Sequence, residues 1–162
     1  MVNPLTDSHL LPDISLLLES CSKTSAAEWA IGCARHVLSL FEKGSISDIR
    51  PHQALEAGER WLKGIGSEQE IRAAAFEAHA AAREADSSEG IAVARACGQA
   101  ISTVFSKGHA LHAATYAAKA AAVAHPFDTN ALEQERVFQY RYLIQLLKSE
   151  ESIPSSDMTT EA

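Results

Sequence analysis

Three histidines, a tyrosine and a lysine hold most of the chemistry this sequence can offer. His109 and His112 lie three residues apart, a spacing that places both imidazoles on one side of a helix. Two such groups can share a metal, with His79 or His125 as a third ligand. The surrounding residues do not extend that pattern. No glutamate follows in the arrangement of a helical zinc protease, and no second Glu-x-x-His motif of the carboxylate-bridged di-iron bundles is present. Helix capping and core hydrogen bonding are therefore the expected roles, and no metal is assigned.

Lys119 is the other unusual group. It is the only formal charge between Ala110 and Ala124, so a desolvated Lys119 could serve as an amine nucleophile. Pairing with Glu56, Glu59, Glu77 or Glu84 from a neighbouring helix, or snorkelling to the surface, is the more ordinary fate. Tyr116 sits one turn beyond His112 and three residues before Lys119, and a buried tyrosine satisfies its hydroxyl locally. Trp29 and Trp61 read as core anchors. Cys21, Cys33 and Cys97 form no CxxC and no nucleophile pattern. With no Gly-rich phosphate loop and no nucleophile elbow, the residues assign no catalytic group and no cofactor.

The elements that must position these groups are helical. About a sixth of the chain is alanine, the best helix former and small enough to let axes approach closely. Start and stop signals recur. Asp13 can cap a short helix carrying Ile14 and Leu16–Leu18. Ser25 with Glu28 makes a capping box for a helix to about Lys43, closed by Gly44. Pro51 suits a first turn, and Gly64 follows that helix. Ser67 with Glu70 opens a helix to about Ala85, and Ser87 or Ser88 opens one ending near Gly108. The next runs from His109 to His125 and stops at Pro126. Asn130 with Glu133 opens the last, to about Lys148. No segment alternates with period two, so strands are not expected.

The expected fold is all-α, a single compact bundle of about six or seven helices spanning residues 1–149, with an acidic, disordered tail over 150–162. Two alanine-rich stretches, Ala74–Ala85 and Ala113–His125, align about 40 residues apart with Phe76 opposite Tyr116. A stack of helical hairpins is thus an alternative to the bundle. On the helix from Glu68, the positions Ile71, Ala75, Ala78, Ala82 and Ala85 form a narrow apolar stripe, with Glu70, Glu77 and Glu84 opposite. The helix from His109 has alanine in almost every direction. It is expected to be the buried, Ala-rich centre, its polar side chains gathered in a small internal cluster.

Charge excludes some partners. The net charge is −7 over 162 residues. Setting aside the four acids of the last fourteen residues leaves −3. No run of Lys and Arg stands out, so nucleic acid is not an expected partner. The longest weakly polar stretch is too short to span a bilayer, and Met1–Ser8 lacks the features of a signal peptide. Three widely spaced cysteines suit a reducing compartment. A soluble, cytoplasmic protein without a membrane partner is expected.

Several islands of sequence are familiar. They are Arg50–Ala57 (RPHQALEA) with Trp61, Ala73–Ala85 (AAAFEAHAAAREA), Ala94–Ala100 (ARACGQA), Gly108-His109-Ala110, and Ala113–Ala120 (AATYAAKA). In this order, over about Arg50 to Val123, they resemble a bacterial family of putative immunity proteins that accompany polymorphic toxins. The matching positions are Arg50, Pro51, His79, Arg83, Gly98, Gly108, His109, Tyr116 and Lys119. Just before Gly108, Val104-Phe105-Ser106 departs from a more usual Ala-His pair. The resemblance implies an all-helical, non-catalytic protein that binds and neutralises a cognate toxin. Arg50, His79, Arg83, His109, His112, Tyr116 and Lys119 are then the candidate structural or ligand-binding residues. The competing reading is a helical ligand- or metal-binding protein, or an enzyme, built on a buried His/Tyr/Lys cluster. Self-association through alanine faces, giving a homo-oligomer, also stays open.

Overall fold

Serine hydroxyls begin three of the helices in the computed structural model, which describes residues 7–44 and 47–152. The described residues form seven helices and no strand: α1 (Leu11–Ser20), α2 (Lys23–Glu42), α3 (Arg50–Leu62), α4 (Glu68–Glu84), α5 (Ser88–Ser102), α6 (His109–Ala124) and α7 (Ala131–Glu151). Ser67 accepts from the Glu70 amide at 3.2 Å and Ser87 from the Gly90 amide at 3.0 Å, starting α4 and α5. Pro51 lies in the first turn of α3, where its missing N–H costs nothing.

Some boundaries differ from expectation. Ser22, rather than Ser25, caps α2 by accepting from the Ser25 amide at 3.0 Å. Ser25 is buried inside the first turn, and its hydroxyl donates to Glu150. Asp13 and Asn130 make no side-chain cap. The end of α5 comes at Ser102 rather than near Gly108, because the Ser102 and Thr103 hydroxyls take up the Gly98 and Gln99 carbonyls at 2.8 and 3.3 Å. Glu150 and Glu151 belong to α7; the rest of the expected tail, 153–162, lies outside the described residues.

Helices α4, α5 and α6 lie side by side, with α2 behind α5 and α6. α3 packs on α4, α5 and α2, α7 covers α6 and α2, and α1 packs on α7. α5 is the most enclosed helix, standing between α4 and α6, and the Ala-rich α6 packs on α5, α2 and α7. α6 buries Ala110, Ala113, Ala114, Ala117, Ala118, Ala120 and Ala121, but His112, Lys119 and Val123 face solvent. Its alanines crowd the inward directions, so His109, His112, Tyr116, Lys119 and Val123 fall on the outer strip, while Leu111 packs against the core. On α4 the expected stripe is buried through Ala82, with Ala85 half-buried and Glu70, Glu77 and Glu84 exposed. Packing is close at Gly58, where an added Cβ would stand 2.7 Å from Ile101 and 2.8 Å from Ile31.

The sequence contains no forewarning of the polar core of α7. Arg136 and Gln139 are fully buried. The Arg136 guanidinium donates to Asp7 through Nε (3.0 Å) and Nη2 (2.8 Å), to Gln139 Oε1 (3.0 Å) and to Thr115 Oγ1 (2.9 Å). Gln139 Nε2 donates to the Ala114 carbonyl at 2.8 Å, and the Trp29 indole donates to the Gln139 carbonyl at 2.8 Å. One network thus joins the chain's start to α2, α6 and α7. Burial pushes the Asp7 carboxyl up, but the hydrogen bonds and charge of Arg136 outweigh it and hold it below its ordinary value.

Removing the guanidinium strands several buried acceptors and leaves a void. Arg136→Ala is expected to lower stability by about 3–5 kcal/mol, and Asp7→Asn by less, because Asp7 is partly exposed. Since the Asp7 pKa is depressed on folding, its contribution is present above the unfolded carboxylate value of about 4 and is lost as pH falls through the folded value. Urea unfolding midpoints between pH 7 and pH 3 should show this loss in the native protein and a smaller one in Asp7→Asn.

Candidate functional site

The outward strips of three adjacent helices form one surface. From α4 come Arg72, Phe76, His79 and Arg83, at spacings of four, three and four. From α5 come Ser88, Ile91, Arg95, Gln99 and Ser102. From α6 come His109, His112, Tyr116, Lys119 and Val123. Each of these residues is exposed or half-buried, and none is Asp or Glu. Helical periodicity puts each set on one face, and the adjacency of α4, α5 and α6 merges the three strips.

Contacts across the strips confirm the juxtaposition. The Arg95 guanidinium from α5 lies 5.9 Å from the Tyr116 ring centroid, and the Lys119 ammonium lies 5.6 Å from the same ring. Tyr116 therefore carries two cations within cation–π range. Arg83 stands 5.9 Å from the Phe76 ring, and Arg72 stands 4.1 Å from that of Phe105. His109 Nδ1 meets Gln99 Oε1 at 2.7 Å. His79 rests against Gly98, where an added Cβ would sit 2.7 Å from Nε2. Burial, then the charges of Arg83, Arg95 and His109, hold the His79 imidazole below its ordinary pKa, so it is neutral at pH 7.

The expected internal cluster is thus an external one. Lys119 is exposed, which removes the desolvation an amine nucleophile would need. None of its four expected partners reaches it: Glu56 bonds His52, Glu59 bonds Arg35, and Glu77 and Glu84 both turn to Arg50. His112 faces solvent while His109 bonds Gln99. Among the described residues no group of three His, Cys, Asp or Glu could hold a metal ion. The cysteines are buried and free, with the Cys97 thiol pushed up to about 12 by burial, so it is not a thiolate nucleophile at neutral pH.

Arg50 stands apart from this face. It tethers the start of α3 to Asp48, at 2.8 and 2.9 Å, and to Glu84 of α4 at 2.5 Å. A groove of about 510 Å³, with His36, Lys43, His125, Asp128 and Glu135 in its lining, belongs to another region, between α2 and the α6–α7 turn. Arg72, Phe76, Arg95 and Phe105 are members of the site that the residue types alone did not single out. Their helical register was readable, but the adjacency that brings them together was not. The same adjacency gathers cations that are scattered along the chain, and so produces a basic patch that no linear run announces.

The family model for the Imm-5 like putative immunity protein matches residues 16–146, from within α1 to within α7. The chain belongs to that family. No curated protein and no solved structure matches it. The match extends well beyond Arg50–Val123, over α2 and most of α7. Of the positions that carried the resemblance, His79, Arg83, Gly98, His109, Tyr116 and Lys119 meet on the α4–α5–α6 face, while Arg50 and Pro51 serve the start of α3. In this member of the Imm-5 like family those polar groups lie outside the core.

Burial lowers the His79 pKa most and the neighbouring cations lower it further, so removing one cation should raise it in part. Arg95→Gln is expected to move the His79 titration midpoint upward, toward the ordinary imidazole range, whereas Arg141→Gln on α7 leaves it in place. Proton NMR titration of the imidazole resonances measures both.

Proposed function

We propose that this chain is an immunity protein that binds and neutralises a cognate toxin in the cytoplasm, with no chemistry of its own. The family match over residues 16–146 carries the reading. Geometry supports it in three ways. The polar groups that might have made a buried reaction centre are spread over an open helical surface. The cysteines are sequestered. No helix among the described residues is long and apolar enough to cross a membrane, which suits a protein that meets its target in solution.

Occlusion needs area more than chemistry. A standard protein–protein interface takes about 800 Å² from each partner, under a tenth of the 9567 Å² this chain exposes. α4, α5 and α6 have 17, 15 and 16 residues, so each is about 25 Å long. Laid side by side at about 9 Å between axes, they offer a footprint of that order on a rigid support.

Co-expression with the toxin encoded beside its gene is the direct test. Growth should be rescued, and the two proteins should co-purify as a complex. Rescue by no neighbouring toxin would sink the reading.

A further inference from the structure

The fold neutralises its cations unevenly. Arg35, Arg50 and Arg136 each hold a carboxylate within 4.0 Å. Arg72, Arg83, Arg95 and Lys119, like other surface cations, have none among the described residues, and these four alone lie over aromatic rings. Arg50 draws Glu77 and Glu84 to the other edge of α4, away from these four cations. Grouping four like charges on an exposed surface gives nothing to folding, since exposed cations repel one another. The arrangement calls for an anionic counterpart from outside.

We propose that the α4–α5–α6 face is the surface that contacts the toxin, and that the toxin meets it with a cluster of Asp and Glu side chains. This rests on the immunity reading above. Arg95 at 5.9 Å and Lys119 at 5.6 Å both lie over Tyr116, so an acidic group approaching the ring meets two cations. Arg and aromatic side chains are the residue types that dominate binding energy at protein interfaces. Phe76 and Val123, 64% and 45% exposed, supply apolar contact beside the charges. A protein fits better than a nucleic acid because the chain as a whole carries −7, which repels a polyanion at long range. An acidic patch on a protein is instead oriented toward this basic face.

Matched charge reversals test the location. Arg95→Glu with Lys119→Glu on this face, and Arg141→Glu with Lys148→Glu on α7, change net charge equally at exposed positions. The probe is the toxin encoded by the adjacent gene, inactivated and titrated calorimetrically. The face variant is expected to bind at least about 100-fold more weakly, and the α7 variant within about threefold of the native chain. Replacing the toxin's contacting Asp or Glu by Lys should restore binding to the face variant. Circular dichroism and melting temperature verify folding, and Arg95→Gln with Lys119→Gln replaces the face variant if reversal disturbs the helices. Equal binding by face and α7 variants overturns the location while leaving the immunity reading standing. Micromolar binding of a 20-mer DNA or RNA duplex that the face variant loses overturns the choice of a protein partner. A native chain that neither binds the toxin nor rescues growth removes the immunity reading and this proposal together.

Discussion

Alanine sets the spacing of this bundle, and most other features follow from that spacing. Where α5 meets α6 and α2, the buried positions are largely Ala92, Ala94, Ala96, Ala100, Ala110, Ala113, Ala114, Ala117 and Ala118. A methyl group fills little of the gap between two helices, so the axes close until backbones and methyls touch. Each contact contributes only about 0.1–0.2 kcal/mol, and stability comes from their number. Larger anchors sit on α2, where Trp29, Ile31 and Phe41 are buried. No room remains in the alanine layer for an imidazole, a phenol or a lysine stem. Those side chains have one remaining direction, outward, and the three helices share it. The basic face is thus the complement of the small-residue core.

The exception occurs where the alanine layer ends. α7 is longer than its neighbours and less regular in its apolar pattern, and it brings Arg136 and Gln139 into contact with α6. A buried guanidinium is costly unless its donors are satisfied, and here Asp7, Gln139 and Thr115 satisfy them. The geometry allows one register only: sliding α7 by a residue would separate Gln139 from the Ala114 carbonyl and Trp29 from the Gln139 carbonyl. Apolar packing of alanines discriminates weakly between registers, because neighbouring positions present similar methyls. The polar network supplies the discrimination that the alanine surface lacks.

Local signals were legible in the sequence and long-range ones were not. Ser67, Ser87, Pro51 and Pro126 each act within a turn of their own position, so spacing alone placed α3, α4, the start of α5 and the end of α6. Ser22 was missed in favour of Ser25 because Ser25 with Glu28 has the more complete capping pattern, yet Ser25 is engaged by Glu150, 125 residues away. The overall apolarity of α6 signals its packing on α5, α2 and α7, while the placement of its polar residues signals the strip it leaves open. His109, His112, Tyr116, Lys119 and Val123 recur at spacings of three and four, which is the mark of an exposed strip. Arg136 with Asp7, 129 residues apart, leaves no local trace at all. Nor does a basic patch whose members come from three helices.

Rigidity gives the exposed face its use. Loops that bind must first be ordered, and that ordering subtracts from affinity. Here every charge of the face projects from a helix whose opposite side is packed into the alanine core. Cations also lie over rings from neighbouring segments: Arg95 of α5 over Tyr116 of α6, and Arg72 of α4 over Phe105. His79, seated on Gly98 and kept neutral, fills the space between α4 and α5 without adding charge. A surface built this way presents nearly the same charge pattern before and after contact. On the proposed toxin-binding role, selectivity comes from matching positions rather than from adapting to them.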